Sequence, residues 1–341
     1  MTSSSPPSRE IAVVIPCYRS AATIGEVVQS IPAGVGRIIC IDDASDDDLA
    51  EVLQRLSRKH KRLIVVTHEL NKGVGGATVS GYRKAIELGA RVIVKIDSDG
   101  QMNPAFITEI AAPILVGEAD YVKGNRFFDI ERVRAMPAMR LFGNAGLTFI
   151  SRVSSGYWDL SDPTNGFTAI DASVASLLPL HKLHERYFFE SDILFRLNSF
   201  GATVVEQPIE SLYGDEQSHL SVLRCLVTFP FLHWRNFMKR LFYNYFLRNF
   251  DFASLYLMAG IVLTLFGAIF GALQWRESAQ TGEPATTGTV MLSVMPLLLG
   301  FQLLLAFVHH DVARIPRMPI HRRISRRKVL VSKSQPGLDI Q

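Results

Sequence analysis

The sequence predicts an α/β protein built on a mostly parallel sheet and continued by helices of membrane type. Three observations carry that expectation. Short β-branched runs alternate with segments of helical apolar spacing in the first part of the chain, a polar signature closes each of those runs, and beyond Phe252 come two stretches almost without charge. Strand and helix in alternation imply right-handed crossovers and parallel pairing. In such sheets ligands collect at the carboxyl ends of the strands, which is where the polar signatures fall.

The elements follow in order. Ile11–Ile15, closed by Pro16, suits a buried strand, and Ile24, Val27, Val28 and Ile31 repeat at helical spacing. A second strand over 36–41 ends at Asp42-Asp43; the segment 47–59 carries Leu49, Val52, Leu53 and Leu56 at helical spacing. A third strand over 63–67 leads into the glycine-rich segment 71–76 and a helix to about Leu88. A fourth strand over 92–96 ends at Asp97-Ser98-Asp99. From Pro104 to Ser211 the pattern is α+β, with helices near 104–116, 139–154 and 189–199.

From Leu220 to Phe250 aromatic residues and leucines interleave with Arg235, Lys239, Arg240 and Arg248, a pattern that suits an amphipathic helix in a membrane interface. A surface helix packed on the domain is the alternative. The segment 252–275 would reach about 36 Å as a helix and 289–308 about 30 Å, enough for each to cross a bilayer. A short polar link, 276–288, separates them. Basic residues flank the pair, with Arg314, Arg317, Arg322, Arg323, Arg326, Arg327 and Lys328 after it, whereas the link holds only Arg276. The positive-inside rule then puts the first domain and both termini in the cytosol. The expected organisation is a disordered tail 1–9, an α/β domain 10–219, juxtamembrane helices 220–250, a two-helix hairpin 251–310 and a basic tail 311–341.

Composition narrows the classes further. The chain has 341 residues, 48% hydrophobic and 20% charged, with a net charge of +4. Cys17, Cys40 and Cys225 form no paired motif, which argues against a disulfide framework or a zinc site. The basic run follows an apolar segment, which favours anionic lipid over nucleic acid. The first residues hold no apolar core of a signal peptide.

Asp97-Ser98-Asp99-Gly100-Gln101 is the strongest chemical signature. Two carboxylates two residues apart at a strand end can reach one hard divalent cation, Mg²⁺ or Mn²⁺, with a diphosphate completing the shell. Gln101 can add a carbonyl oxygen. Tyr18, just past Pro16, offers a ring for a base to stack on, Asp43 an acceptor for a base N–H, and Asp42 a contact to ribose; Asp43, Ser45 and Asp46 can equally cap the next helix. Lys72 and the glycines at 73, 75 and 76 permit close backbone approach and open a helix, as a phosphate or sugar would need. No G-x-G-x-x-G is present, so a dinucleotide fold is not indicated.

In this order, IPCYRS, IDDASDD, NKGVGGA and KIDSDGQMNP resemble the family 2 glycosyltransferases of GT-A (Rossmann-like) fold, and the last is similar to the branch acting on polyprenol phosphates, which includes dolichol-phosphate mannose synthases. Lys123-Gly124-Asn125-Arg126, Asp162 to Phe167, Phe189-Glu190-Ser191-Asp192 and Gln207-Pro208-Ile209 extend the resemblance. It implies that Pro16, Tyr18 and Asp43 hold the nucleotide, that Asp97, Asp99 and Gln101 hold metal and diphosphate beside Ser98, and that Arg126, with Arg140 as a second candidate, engages the acceptor phosphate. His219 stands where a lysine is common in the family's diphosphate loop, with Arg224 as an alternative grip. Glu190 and Asp192 are candidates for sugar hydroxyls, or a helix N-terminal pair favoured by the dipole.

The implied reaction is metal-dependent, inverting transfer of a hexose from a nucleotide-sugar, UDP-glucose before GDP-mannose, to an undecaprenyl or dolichyl phosphate, by a multi-pass protein able to self-associate through its spans. A tethered transferase with a glycan acceptor and a non-catalytic membrane scaffold are the alternatives. A processive synthase would carry QxxRW, for which Leu232-His233-Trp234-Arg235 is a poor substitute.

Overall fold

The structure, a computed structural model, describes residues 10–128, 138–210 and 222–324. The expected tail at 1–9, His219 and the cluster from Arg326 to Lys328 fall outside them, as do the side chains of Arg140 and Arg224. Two compact units divide the chain: Met1–Phe237 together with Pro316–Gln341, and Met238–Ile315. The border falls inside the helix expected over 220–250, and the segment after the apolar pair rejoins the first unit.

The first unit is built on seven strands: β1 (Ile11–Cys17), β2 (Arg37–Asp42), β3 (Leu63–Thr67), β4 (Val92–Lys95), β5 (Tyr121–Asn125), β6 (Thr168–Asp171) and β7 (Val204–Pro208). Their order is β3-β2-β1-β4-β6-β5-β7. All neighbours are parallel except β6, which runs antiparallel between β4 and β5. Val13, Ile15, Ile38, Cys40 and Val94 are fully or almost fully buried beneath the covering helices. These are α1 (Ile24–Ser30), α2 (Leu49–Lys59), α3 (Gly73–Glu87), α4 (Ile107–Leu115), α5 (Ala138–Ser155), α6 (Ala172–Leu177) and α7 (Phe189–Phe200).

Two local expectations change. β1 runs through Pro16 to Cys17, Pro16 lying opposite Ile41. The Val14 carbonyl accepts from Ile96, so residues of that parity face β4, and β4 has ended by the level of Pro16. Its missing donor therefore breaks no ladder bond. None of Asp43, Ser45 and Asp46 caps α2. Asp48 holds the cap position without a side-chain bond, and Asp47 reaches the Leu49 amide at 3.4 Å.

The second helical segment begins with α8 (Val222–Leu241), continues as a π-helical turn over Phe242–Leu247 and passes into α9 (Phe252–Thr281) and α10 (Thr287–Ala313). Both long helices outrun the apolar stretches read from the sequence, and most of the expected link is helical. Asp251 starts α9 through a capping box with Ser254. Only 11% of each helix's most apolar window is buried, unlike the core helix of a soluble domain, so both are long and apolar enough to cross a membrane and leave that surface uncovered. Arg240, expected to face lipid phosphates, is instead buried and doubly bonded to Asp311 at 2.6 and 3.0 Å, with the Tyr245 hydroxyl donating to the same carboxylate at 2.7 Å. Arg314 pairs with Asp251 at 3.0 Å.

Beyond the apolar pair the chain is clasped to the first unit at the start of β5. Asp120, fully buried, accepts from the Thr203, Ile320 and His321 amides at 2.8, 2.8 and 2.9 Å and faces His321 Nδ1 at 2.7 Å. Arg322, read as part of a lipid-facing run, donates to the Val116 carbonyl at 3.0 Å. Burial alone would raise the Asp120 carboxyl, but the bonds from His321, Thr203 and Ile320 outweigh it and hold the group below the usual carboxylate range. A carboxyl depressed in the folded state contributes stability in full above its unfolded pKa, near 4, and loses it as pH falls through the lower folded value. The stability of Asp120→Asn, followed by thermal unfolding of the detergent-solubilised protein from pH 7 to 3, is therefore expected to fall less steeply in acid than that of the parent; equal slopes would contradict the assignment.

Candidate active site

The carboxyl ends of β1, β2 and β4 bring the Tyr18-Arg19 segment together with two acidic segments, Asp42-Asp43 and Asp97 to Asp99. The Asp43 amide donates to the Cys17 carbonyl at 2.9 Å and the His68 amide to that of Asp42 at 2.9 Å, tying the strand ends into one floor. Asp42 and Asp43 are both nearly fully buried. Asp42 accepts from the Ser45 amide at 3.0 Å. Asp43 accepts from the Lys72 and Gly73 amides at 2.9 and 2.7 Å and faces His68 Nδ1 at 2.6 Å, while His68 Nε2 meets the Ser80 hydroxyl at 2.8 Å. Asp43 thus spends most of its capacity on the glycine segment, leaving little for a base. Tyr18 remains exposed at the rim, with the Arg19 guanidinium 5.3 Å from its ring centre and Arg19 clamped by Asp46 through two bonds of 2.6 Å.

The glycine segment does not open toward a ligand. A Cβ at Gly73 would lie 2.8 Å from the Glu185 carbonyl oxygen, and one at Gly75 would collide with the His184 carbonyl. The Gly76 amide donates to the Glu185 carbonyl at 2.9 Å. Its glycines make room for the 184–186 backbone, and its first amides are taken by Asp43. Lys72 caps the start of α3, with its side chain exposed.

At the end of β4 sits a feature the sequence reading missed. Lys95 is 1% exposed, with its ammonium 2.8 Å from Asp97 Oδ1 and 2.9 Å from Glu190 Oε1. Burial disfavours that charge, but the Asp97 and Glu190 carboxylates override it and raise the lysine above its ordinary value. A lone lysine in an otherwise β-branched buried strand was the available signal. Asp97 is partly exposed, the Ser98 carbonyl accepts from the Thr23 hydroxyl at 2.6 Å, and Asp99 accepts from the Gln101 amide at 3.0 Å, so the turn is fixed to the start of α1. Gly100 supports that turn with φ of +77°.

The 162–166 loop closes over the same spot. A Cβ at Gly166 would stand 2.7 Å from Asp97 Oδ2 and 2.8 Å from Lys95 Nζ, so any side chain there would have to push the ion pair aside. Lys123, buried in β5, donates to the Asn165 carbonyl at 2.8 Å; its burial brings the ammonium down to about 8, against the pull of Glu190 and Asp162. Asp162 holds Arg126 through bonds of 2.8 and 3.0 Å to its guanidinium, one third of which is exposed. The Ser161 and Asp162 amides rest on Glu206 at 2.6 Å. Arg126 is therefore carried by the loop that touches the Lys95–Asp97 pair.

Glu190 lies in this network with little exposed surface. Asp192 does not face it: its oxygens are taken by the His184 amide, Arg196 and Asn236, so it joins α7 to α8 rather than reading a sugar. Arg140 sits on α5, with its side chain outside the described residues. Among the described residues no group of three acidic, histidine or cysteine side chains could hold a metal by itself. Two carboxylates and an amide on one turn are instead the hard-oxygen set of a cation whose shell is finished by substrate phosphates, and they fit Mg²⁺ or Mn²⁺ in that sense.

The family model for glycosyl transferase family 2 matches residues 12–177, which contain Tyr18, Asp42, Asp43, Lys95, Asp97, Asp99, Arg126 and Asp162. The UDP-N-acetylglucosamine–dolichyl-phosphate N-acetylglucosaminyltransferase of Methanococcus voltae is 32% identical over 218 residues, which cover 60% of this chain and 86% of that protein. The chain belongs to glycosyltransferase family 2. It is an enzyme of that family, with the mostly parallel α/β sheet expected of the GT-A fold. The polyprenol monophosphomannose synthase of Mycolicibacterium smegmatis is 27% identical over 207 residues, covering 60% of this chain and 77% of that one. Among solved structures, glucosyl-3-phosphoglycerate synthase from Mycobacterium tuberculosis, in complex with phosphoglyceric acid, aligns with a TM-score of 0.49 at 21% identity, over 69% of this chain and 81% of that one.

The covered glycine segment gives this family member a direct test. Gly75→Ala should cost about 1–3 kcal/mol by overpacking against the 184–185 backbone. Chemical unfolding of the detergent-solubilised variant would read that loss; parental stability would mean the segment has room to spare.

Proposed function

We propose that the chain transfers a sugar from a nucleotide-sugar to a polyprenyl phosphate at a membrane surface, with inversion at C1. The observation that carries the reading is that one loop, 162–166, meets the Asp97 turn at Gly166 and orients Arg126 through Asp162: the acidic turn suits a donor diphosphate and its cation, and the arginine suits a second phosphate. The acceptors printed in the names of the two relatives, dolichyl phosphate and a polyprenol, support the same class. The two apolar helices suit an enzyme whose acceptor lies in a bilayer. Both ends of that helical pair return to the first unit, which fits an even number of crossings with the catalytic unit on the cytosolic side.

In the step, an acceptor phosphate oxygen attacks C1, the bond from C1 to the diphosphate oxygen breaks, and the electron pair leaves with the nucleoside diphosphate. No proton has to move, because a phosphate monoester is already anionic at neutral pH. The residues therefore act by positioning and by charge. Asp97, Asp99 and Gln101 would hold a divalent cation, which would supply neutralisation of charge on the departing diphosphate. Arg126, oriented by Asp162, aligns the incoming phosphate. Lys95 keeps Asp97 and Glu190 in register beneath the sugar, with one Glu190 oxygen available to a hydroxyl. Tyr18 stacks on the base at the rim, with Pro16, Asp42 and Asp43 shaping the floor beneath it.

The donor is a UDP- or GDP-sugar. UDP-glucose, with GDP-mannose second, is the sequence expectation, and N-acetylglucosamine joins them because one relative's name carries that sugar on UDP. Initial rates with both substrates varied separate the roles. Arg126→Ala is expected to raise the acceptor KM at least tenfold with little change in the donor KM, and Asp99→Ala to lower kcat by about a thousandfold, the scale of losing one preorganised charge interaction. Equal effects of Arg126→Ala on both substrates, or an active Asp99→Ala, would contradict the assignment.

A further inference from the structure

We propose that α5 is a second membrane-contact element, inside the catalytic unit, whose outer face lies in the head-group layer of an anionic bilayer. One face of this helix is fixed to the domain. Ser151, Ser154 and Ser155 are buried, the Thr148 hydroxyl donates to the Ser161 carbonyl at 3.3 Å, Arg152 donates to the Leu160 carbonyl at 2.5 Å, and the Ser154 hydroxyl meets His233 Nδ1 of α8 at 2.7 Å. The opposite face is apolar and open. Phe142 is 76% exposed and Phe149 60%, flanked by Leu141 and Ile150 at 39% each, with exposed Ala145 between them. Positions 142, 145 and 149 form one helical stripe, as do 146 and 150. Single exposed apolar side chains are ordinary, but two phenylalanines on one stripe with Leu141 and Ile150 beside them mark a surface that something covers.

Two observations name the occupant as lipid. The helix contains no acidic residue to repel anionic head groups, and its first turn carries Arg140, the sign of charge that an interfacial helix uses against them. A second helix of the same unit adds to this surface chemistry: α8, bonded to α5 through Ser154 and His233, also exposes large apolar side chains, Phe231 at 67% and Trp234 at 60%. That helix leads along the chain into the two apolar helices. For its purpose the inference rests on the lipid-phosphate reading. The loop to which α5 is bonded at Leu160 and Ser161 also carries Asp162, which orients Arg126. Seating α5 among head groups thus brings the acceptor arginine to the depth of membrane phosphates.

The test uses the full chain reconstituted in vesicles of phosphatidylcholine and phosphatidylglycerol that contain a shallow spin-labelled lipid. An environment-sensitive dye is placed at Phe142→Cys or Phe149→Cys in a Cys225→Ser background, with Arg55→Cys on α2 as the reference; Cys17 and Cys40 are buried. Dyes at 142 and 149 are expected to be quenched at least threefold more than the dye at 55, with unfolding midpoints like the parent's. Quenching no greater than at 55 would overturn the inference, as would dyes that quench one another between protein copies while ignoring the spin label. No turnover enters this reading. A chain that never glycosylates a lipid phosphate would sink the proposed function, while the quenching would still decide the place of α5.

Discussion

A lysine ammonium shut away from water at the end of a central strand is the constraint on which the catalytic unit turns. Lys95 cannot remain charged at 1% exposure without partners, and it takes two carboxylates from different parts of the chain, Asp97 on the turn that follows its own strand and Glu190 on α7. Gly166 then lets the 162–166 loop settle directly on the pair. One buried charge thereby gathers β4, α7 and the loop that holds Arg126. Such a cluster is costly to bury and costly to break, which suits a site that must hold two phosphate-bearing substrates in line.

A second carboxylate plays the same part nearer the rim. Asp43 joins β2 to the start of α3 and to His68, and the 184–186 backbone closes over the glycines that follow. The floor proposed for the nucleotide is therefore held at several points, with Tyr18 exposed at its rim. Both networks lie at strand ends, where a parallel sheet leaves backbone groups without partners and polar side chains find their use.

Much of this was legible in the sequence, for physical reasons. Period and β-branched runs located the first four strands within a residue or two, because buried parallel strands leave little choice of residue. The acidic turn after β4 was legible because two carboxylates two residues apart are costly anywhere but around a cation or a donor. What escaped were pairings that depend on distance along the chain. Nothing near Asp120 announces His321, 201 residues later, and nothing in the aromatic run around Arg240 reveals that Asp311 will bury it. The basic residues read as lipid-facing were for the same reason partly misplaced: Arg240, Arg314 and Arg322 have partners within the protein. The glycine segment is ambiguous in another way, since an absent Cβ serves a neighbouring backbone as well as a phosphate.

Family membership, a donor-type acidic turn and an arginine oriented by the loop that meets it give a coherent account of glycosyl transfer at a bilayer. The identity of the acceptor is its central claim. The most direct measurement is the partition of label after the purified protein, in lipid nanodiscs with Mg²⁺ or Mn²⁺, is given a radiolabelled nucleotide-sugar together with polyprenyl phosphate and a pool of water-soluble glycans. The account predicts label in the butanol phase, dependent on the lipid phosphate and released by mild acid; label confined to the water-soluble glycans would contradict it.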